Sequence, residues 1–171
     1  KMGFPVFPLE WTDPKTGNVY RGYREDGYFP EAFLNILAFL GWNPGTEQEF
    51  FTLDELIEAF SLERIVKSGS RFDPEKAKWF NKHYFQLKSK NELATLFKPV
   101  LEEKDISAAH EKIVKVIAAV KDRCEFVKDI WEQGYFFFEA PETYDQKTIK
   151  KRWKADTSEK LIQISEVFES V

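Results

Sequence analysis

The sequence has few of the residues that most catalytic centres use. Its 171 residues include one cysteine, Cys124, and two histidines, His83 and His110, in unrelated segments. A single cysteine excludes an internal disulfide and favours a reducing compartment, the cytoplasm. Glycine-rich phosphate loops, paired His/Cys metal spacings and a Ser/His/Asp arrangement are all missing. We therefore predict that this chain has no catalytic residue, no metal ligand and no cofactor of its own.

Long hydrophobic runs are missing as well. No apolar stretch approaches the roughly 20 residues that cross a bilayer, and no basic-then-apolar leader opens the chain. We therefore predict no membrane partner. The chain starts at Lys1, and Met2 is its only methionine. We interpret this start as that of a piece of a longer protein.

Hydrophobic side chains are nevertheless abundant, at 43% of the residues with 17 phenylalanines, which is enough for a substantial core. The most apolar segment, residues 30–40, is predicted to be a helix that begins at Pro30, where a backbone N–H would have no partner. Apolar residues cover most of its circumference, so it must be buried on nearly every side. Asn35 in its middle then needs hydrogen-bond partners.

The remaining pattern predicts a mainly α fold. Thr52 and Glu55 have the spacing of a capping box, and Asp73 precedes Pro74 as an N-cap. The helices we predict cover residues 30–40, 53–60, 74–85, 92–97, 107–120, 144–153 and 158–168.

Two segments are less regular. Residues 6–11 and 19–23 are rich in β formers and flank a turn sequence, which predicts a short β-hairpin or an irregular surface loop near the N-terminus. Residues 135–138 fit a strand by composition, whereas their helical neighbours favour a helix or a helix-ending turn.

Charge is segregated along the chain, although the net charge is only −4. Residues 25–63 hold nine acidic residues and no lysine or arginine, whereas residues 67–90 hold seven basic residues against two acidic ones. A second basic cluster consists of Lys147, Lys150, Lys151, Arg152 and Lys154. Segregated basic patches suit a polyanionic partner. A solvated helix face is the simpler interpretation of either cluster alone.

Four motifs, in order over residues 22–85, carry a resemblance to a known family. The first is Gly27-Tyr28-Phe29-Pro30-Glu31-Ala32 with Leu40-Gly41-Trp42, and the others lie in residues 51–57, 60–68 and 72–84. They resemble the segment that follows the KMSKS-type ATP-binding loop in bacterial glutamyl-tRNA synthetases. Residues 105–155 resemble that family only in helical character and in Lys121-Asp122-Arg123. Glutaminyl-tRNA synthetases have β-barrels in the anticodon region, so the helices after residue 89 favour the glutamyl enzyme.

The resemblance implies a C-terminal tRNA-binding fragment that lacks the catalytic domain. Residues 1–100 would form a stem-contact region, in which residues 4–23 are a hairpin-like insertion packed against the missing catalytic domain. Residues 101–171 would form the first helical half of the anticodon-binding region. The parent enzyme would be a cytoplasmic glutamate–tRNA ligase that uses ATP with magnesium to attach glutamate to a glutamate-accepting tRNA.

The resemblance and the basic clusters together suggest which residues contact tRNA, because lysine and arginine hold phosphates and riboses. The candidates on the stem side are Lys67, Ser68, Arg71, Lys78, Lys82 and His83. The candidates on the anticodon side are Lys121 and Arg123, the latter because a guanidinium can pair with a base edge or stack on a base.

A second hypothesis makes the chain a helical protein-interaction module with no RNA role, and its acidic first half the docking surface. The two hypotheses differ in where the cations lie. If the cations of residues 76–82 and 121–123 line one continuous surface, RNA binding is favoured. Scattered basic faces favour the interaction module.

Overall fold

The computed structural model describes residues 5–67, 69 and 71–169, with the side chain of residue 169 excepted. The chain divides into two compact units, Lys1–Phe138 and Glu139–Val171. Helices, including the 3₁₀ helices, make up 55% of the described residues, which confirms the mainly α prediction. None of the helices in the described ranges is both long enough and apolar enough to cross a membrane.

The larger unit begins with a β-hairpin and continues as a series of helices. Strands β1 (Trp11–Thr12) and β2 (Val19–Tyr20) pair in antiparallel orientation. The helices that follow are α1 (Pro30–Phe39), α2 (Leu53–Ala59), α3 (Pro74–Leu87), α4 (Lys90–Glu102), α5 (His110–Val120) and α6 (Asp129–Gly134). Short 3₁₀ helices lie at Leu62–Arg64, Lys121–Arg123 and Tyr135–Phe137. The smaller unit holds α7 (Gln146–Arg152) and α8 (Thr157–Glu169).

The N-terminal segment is a hairpin, not an irregular loop, although its strands are shorter than the β-forming runs. The Asp13 N–H donates to the Asn18 carbonyl at 2.9 Å, and the Gly17 N–H donates to the Asp13 carbonyl at 2.8 Å. Gly17 has a φ of 69°, which a residue without Cβ adopts readily. The Trp11 and Tyr20 rings, opposite each other in the register, lie 5.8 Å apart.

The aromatic run near residue 135 forms the 3₁₀ helix Tyr135–Phe137, so the strand alternative is wrong. The run directly continues α6, and the Phe138 N–H donates to the Tyr135 carbonyl at 2.8 Å. Gly134 at the junction lets the chain approach α5 closely, because a Cβ there would lie 2.9 Å from Val116 Cγ1.

Helix starts follow local capping chemistry. The Glu55 N–H donates to Thr52 Oγ1 at 3.3 Å and the Thr52 N–H donates to Glu55 Oε2 at 2.7 Å, which confirms the capping box. Helix α4 is longer than the predicted 92–97, because Ser89 and Glu92 form a second capping box and the helix continues through Pro99.

The hydrophobic core of the larger unit packs α1 against α3, α4 against α5, and α5 against α6. Its fully buried side chains include Phe80, Phe85, Phe97, Leu93, Leu101, Ile113, Ile117 and Ile130. Cys124 is buried among them, and burial raises the pKa of its thiol to about 12. The single cysteine is therefore a core residue whose thiol resists ionisation.

The buried side chain of Asn35 has the hydrogen-bond partners that the sequence analysis predicted it would need. It is 1% exposed, and its Nδ2 lies 2.8–2.9 Å from the Glu31 carbonyl, the Phe51 carbonyl and the Tyr84 hydroxyl. Its Oδ1 accepts from the Phe51 N–H at 3.0 Å. The Tyr84 hydroxyl also donates to the Phe51 carbonyl at 2.9 Å. One buried amide thus ties α1 to α3 and to the chain that enters α2.

We expect Asn35→Ala to lower the free energy of unfolding by about 2–4 kcal/mol, because it leaves the buried Phe51 N–H without its acceptor. Urea unfolding followed by circular dichroism measures the change. Leu37→Ala, on the same helix at a side chain that is 48% exposed, is the control and should cost less than about 1 kcal/mol. Equal losses in the two variants would contradict a special role for the amide.

Candidate nucleic-acid interface

Helix α3 carries most of the predicted basic contacts, and its start is fixed locally. Asp73 caps it by accepting from the backbone N–H groups of Glu75 and Lys76, and Pro74 occupies the first helical position. The buried side of α3 consists of Ala77, Phe80, Asn81, Tyr84 and Phe85. The charged side chains of the helix therefore lie along its two flanks and its outer face.

Lys78 and Lys82 are one helical turn apart on one flank of α3 and are half-buried. Lys76 lies on the other flank, where its Nζ is 3.2 Å from Glu49 Oε1 and 5.4 Å from the centre of the Phe39 ring. The basic residues of this helix therefore do not all share one face.

Each of these cations has a carboxylate partner. Lys78 Nζ lies 3.0 Å from Glu75 Oε1, and this hydrogen bond raises the pKa of Lys78. Lys82 Nζ lies 3.7 Å from Glu125 Oε1. Ion pairs that remain accessible to solvent, as these two are, contribute about 0–1 kcal/mol to stability, so a polyanion can compete for either lysine.

The segment 121–125 runs beside the flank that carries Lys82. Asn81 Nδ2 donates to the Glu125 carbonyl at 2.8 Å, and Gln86 Nε2 donates to the Lys121 carbonyl at 2.9 Å. Arg123, in the middle of the segment, is exposed. The fold thus brings the second predicted group next to α3, by contacts between residues 35–44 positions apart.

Lys121 has a structural role in this arrangement. Its Nζ donates to the Gln86 carbonyl at 2.8 Å and to the Lys88 carbonyl at 2.7 Å. Both carbonyls lie at the C-terminal end of α3, where the helix leaves acceptors unpaired and carries partial negative charge. The ammonium therefore caps α3, and the hydrogen bonds aim it at the protein.

His83 belongs to an aromatic stack on the outer face of α3. Its ring lies 3.5 Å from the Phe50 ring at an interplanar angle of 11°, and the Trp79 ring is 4.4 Å from Phe50 on the same side. Burial lowers the pKa of His83 from its ordinary value of 6.5. The lowered pKa favours the neutral imidazole, which can still hydrogen-bond to a phosphate.

The remaining candidates precede α3. Lys67 is exposed and follows a segment anchored to the end of α1 by a 2.8 Å hydrogen bond from the Val66 N–H to the Gly41 carbonyl. Arg71 is exposed beside Asp73 at a shallow groove between α1 and α3. Ser68 lies outside the described residues.

The sequence did not indicate that Glu125 would be the partner of Lys82. The two residues are 43 positions apart, and no local pattern links them. Within the described residues, no three histidine, cysteine, aspartate or glutamate side chains are grouped so as to hold a metal ion.

Two known family models match parts of this chain. A family model described as "Anticodon binding domain" matches residues 92–171, and one described as "tRNA synthetases class I (E and Q), catalytic domain" matches residues 15–79. Together they define the class as class I aminoacyl-tRNA synthetases. The catalytic-domain model includes much of the predicted stem-contact region, and the predicted division near residue 100 stays a prediction.

Individual members of this class are similar to the chain over most or all of its length. Glutamate–tRNA ligases from Christiangramia forsetii and Phocaeicola vulgatus are 56% and 54% identical over all 171 residues. A glutamate–tRNA ligase structure from Elizabethkingia meningosepticum, in complex with its amino acid, matches 99% of the chain with a TM-score of 0.90 and 47% identity. A glutamate–tRNA synthetase structure from Elizabethkingia anophelis matches 88% with a TM-score of 0.82 and 51% identity.

The chain belongs to the glutamate–tRNA ligase family. It spans about a third of the length of these relatives: 34% of each of the two ligase sequences, and 34% and 30% of the two solved chains. The similarity to the two ligase sequences includes the N-terminal hairpin, because their matches run over the whole chain.

We expect Lys121→Met to lower the free energy of unfolding by about 1–2 kcal/mol, because two carbonyls at the end of α3 lose a charged donor. Thermal and urea unfolding measure the change. Lys115→Met, at an exposed lysine of α5, is the matched control and should leave stability within about 0.5 kcal/mol of wild type. A Lys121→Met protein as stable as the control would contradict the capping role.

The lowered pKa of His83 predicts a pH dependence of stability. The unfolded chain binds this proton more readily than the folded protein does, so stability is complete above pH 6.5 and falls as the pH drops below it toward the folded pKa. We expect His83→Gln to remove this part of the decline below about pH 6.5. His110→Gln, at the exposed histidine, is the control. An unchanged slope in His83→Gln would contradict the assignment.

Proposed function

We propose that the chain is the tRNA-binding part of a glutamate–tRNA ligase. The observation that carries this proposal is the 56% identity to such a ligase over all 171 residues. The parent enzyme uses ATP, with magnesium, to attach glutamate to a glutamate-accepting tRNA. The anticodon-binding model over residues 92–171 supports tRNA as the partner.

The proposed division of labour follows the general rule for RNA recognition, in which cations hold the backbone and exposed bases are read separately. Residues 1–100 contact the tRNA stem through Lys67, Ser68, Arg71, Lys78, Lys82 and His83. Residues 101–171 form the first half of the anticodon-binding region, where Arg123 contacts RNA directly. Lys121 supports Arg123 by holding the segment 121–125 against α3, which its two hydrogen bonds favour.

The catalytic domain of the parent is the second proposed partner. Val6, Leu9 and Val19 in and near the hairpin are exposed, at 82%, 49% and 58% of their surfaces. Apolar side chains at this density suit contact with another part of the same enzyme. We place the parent in the cytoplasm, where tRNA charging takes place and where the unpaired Cys124 stays reduced.

The alternative, a helical protein-interaction module without an RNA role, has less support. The proximity of Lys82 to the segment that carries Arg123 favours a joint basic surface. Lys76, on the opposite flank of α3, does not contribute to that surface.

We expect the double variant Lys78→Gln/Lys82→Gln to bind a glutamate-accepting tRNA more weakly, because two phosphate contacts are lost. The slope of log K against log salt concentration should flatten by about 1–2. A filter-binding or mobility-shift titration at several salt concentrations measures both quantities.

The matched control is Lys98→Gln/Lys115→Gln, which removes the same charge from exposed positions on α4 and α5. Circular dichroism checks that both variants are folded. Identical affinity and slope in the α3 variant and the wild type would exclude this flank as a tRNA contact.

A further inference from the structure

The smaller unit contains a dense group of cations that the stem-side and anticodon-side candidates do not include. Residues 146–155, which comprise α7 and the three residues after it, hold five cations and no carboxylate. We call this stretch the α7 basic segment. Its cations are Lys147, Lys150, Lys151, Arg152 and Lys154.

Helix α7 is built so that three of the five cations share one face. Asp145 caps the helix by accepting from the Lys147 and Thr148 N–H groups at 3.3 and 2.9 Å. Lys147, Lys150 and Lys151 are three and four residues apart, the spacing that aligns side chains on a helix. The only half-buried residue of the helix, Ile149, lies on the opposite side. The lysine face is therefore turned to solvent.

The cations of the α7 basic segment differ from those of α3 in their partners. Lys76, Lys78 and Lys82 each have a carboxylate oxygen within 4.0 Å. Among the described residues, none of the five cations in the α7 basic segment has an ion-pair partner at that distance. No ion pair within that distance offsets the repulsion among their charges, and a polyanion would relieve it.

We propose that the α7 basic segment binds the phosphate backbone of tRNA, as a contact separate from the α3 flank. This inference rests on the proposed function. The anticodon-binding family model includes these residues, so tRNA is the polyanion that we expect them to meet. Three exposed lysines at helical spacing form a cluster of positive charge on one face of α7, which suits neighbouring backbone phosphates. Lysine acts at such sites as a compact point charge and carries no base specificity.

An RNA backbone fits this segment better than a membrane surface does. Helices that lie on membranes combine basic residues with a broad apolar face. The seven residues of α7 include a single aliphatic side chain, Ile149, and it is half-buried in its own unit. The helix therefore has charge for phosphate but no apolar face to insert among lipids.

The test is the triple variant Lys147→Gln/Lys150→Gln/Lys151→Gln in the complete 171-residue chain, titrated with a glutamate-accepting tRNA. We expect the dissociation constant to rise about tenfold or more near 100 mM salt, and the salt slope to flatten by about 2, since three phosphate contacts are lost. The matched control is Lys90→Gln/Lys98→Gln/Lys115→Gln, which removes the same charge from exposed positions on α4 and α5. Replacing the same three α7 lysines by arginine should preserve binding.

The outcomes separate this inference from the proposed function. If the triple variant binds tRNA as the wild type does while Lys78→Gln/Lys82→Gln binds more weakly, the α7 contact is wrong and the proposed function stands. If the unchanged chain binds no tRNA, both are wrong. Equal losses in the α7 variant and its control would show only a net-charge effect and overturn the α7 site. Loss of binding to phosphatidylserine vesicles with unchanged tRNA affinity would assign the segment to a membrane and also overturn it.

Discussion

The buried amide of Asn81 joins three segments that lie far apart in the chain. Its Oδ1 accepts from the Phe29 N–H, at the entrance to α1, and its Nδ2 donates to the Glu125 carbonyl, both at 2.8 Å. Asn81 is fully buried on α3, so these bonds form in an apolar setting where an unpaired amide is costly. Together with the hydrogen bonds of Gln86 and Lys121, this link holds residues 121–125 beside α3.

The same arrangement separates structural cations from cations that are available to a ligand. Lys121 uses its ammonium to cap α3, and Lys82 shares its charge with Glu125. Among the described residues, the cations of the α7 basic segment have no ion-pair partner within 4.0 Å. Charge counted along the sequence therefore does not distinguish the cations of α3, which have carboxylate partners, from those of α7, which have none within 4.0 Å among the described residues.

Local signals predicted the helices well where the chemistry spans only a few residues. The cap at Asp73 and the capping box of Thr52 act over two or three positions, so they can be recognised without a structure. The same logic at Ser89 marks the true start of α4, and the short prediction for that helix passed over it. Composition misleads at residues 135–138, where the aromatic residues suggest a strand. The chain instead forms a 3₁₀ helix directly after Gly134, which packs closely against α5.

The sequence by itself determined the mainly α fold, the requirement that Asn35 be satisfied and, through four ordered motifs, the resemblance to glutamyl-tRNA synthetases. These depend on periodicity, caps and residue identity, which are properties of short stretches. Only the tertiary structure decided that Lys121 caps a helix and that Lys82 meets Glu125. It also decided that Lys76 lies on the other flank of α3. The physical reason is that these hydrogen bonds and ion pairs form between groups 27–43 residues apart, and packing alone determines which groups meet.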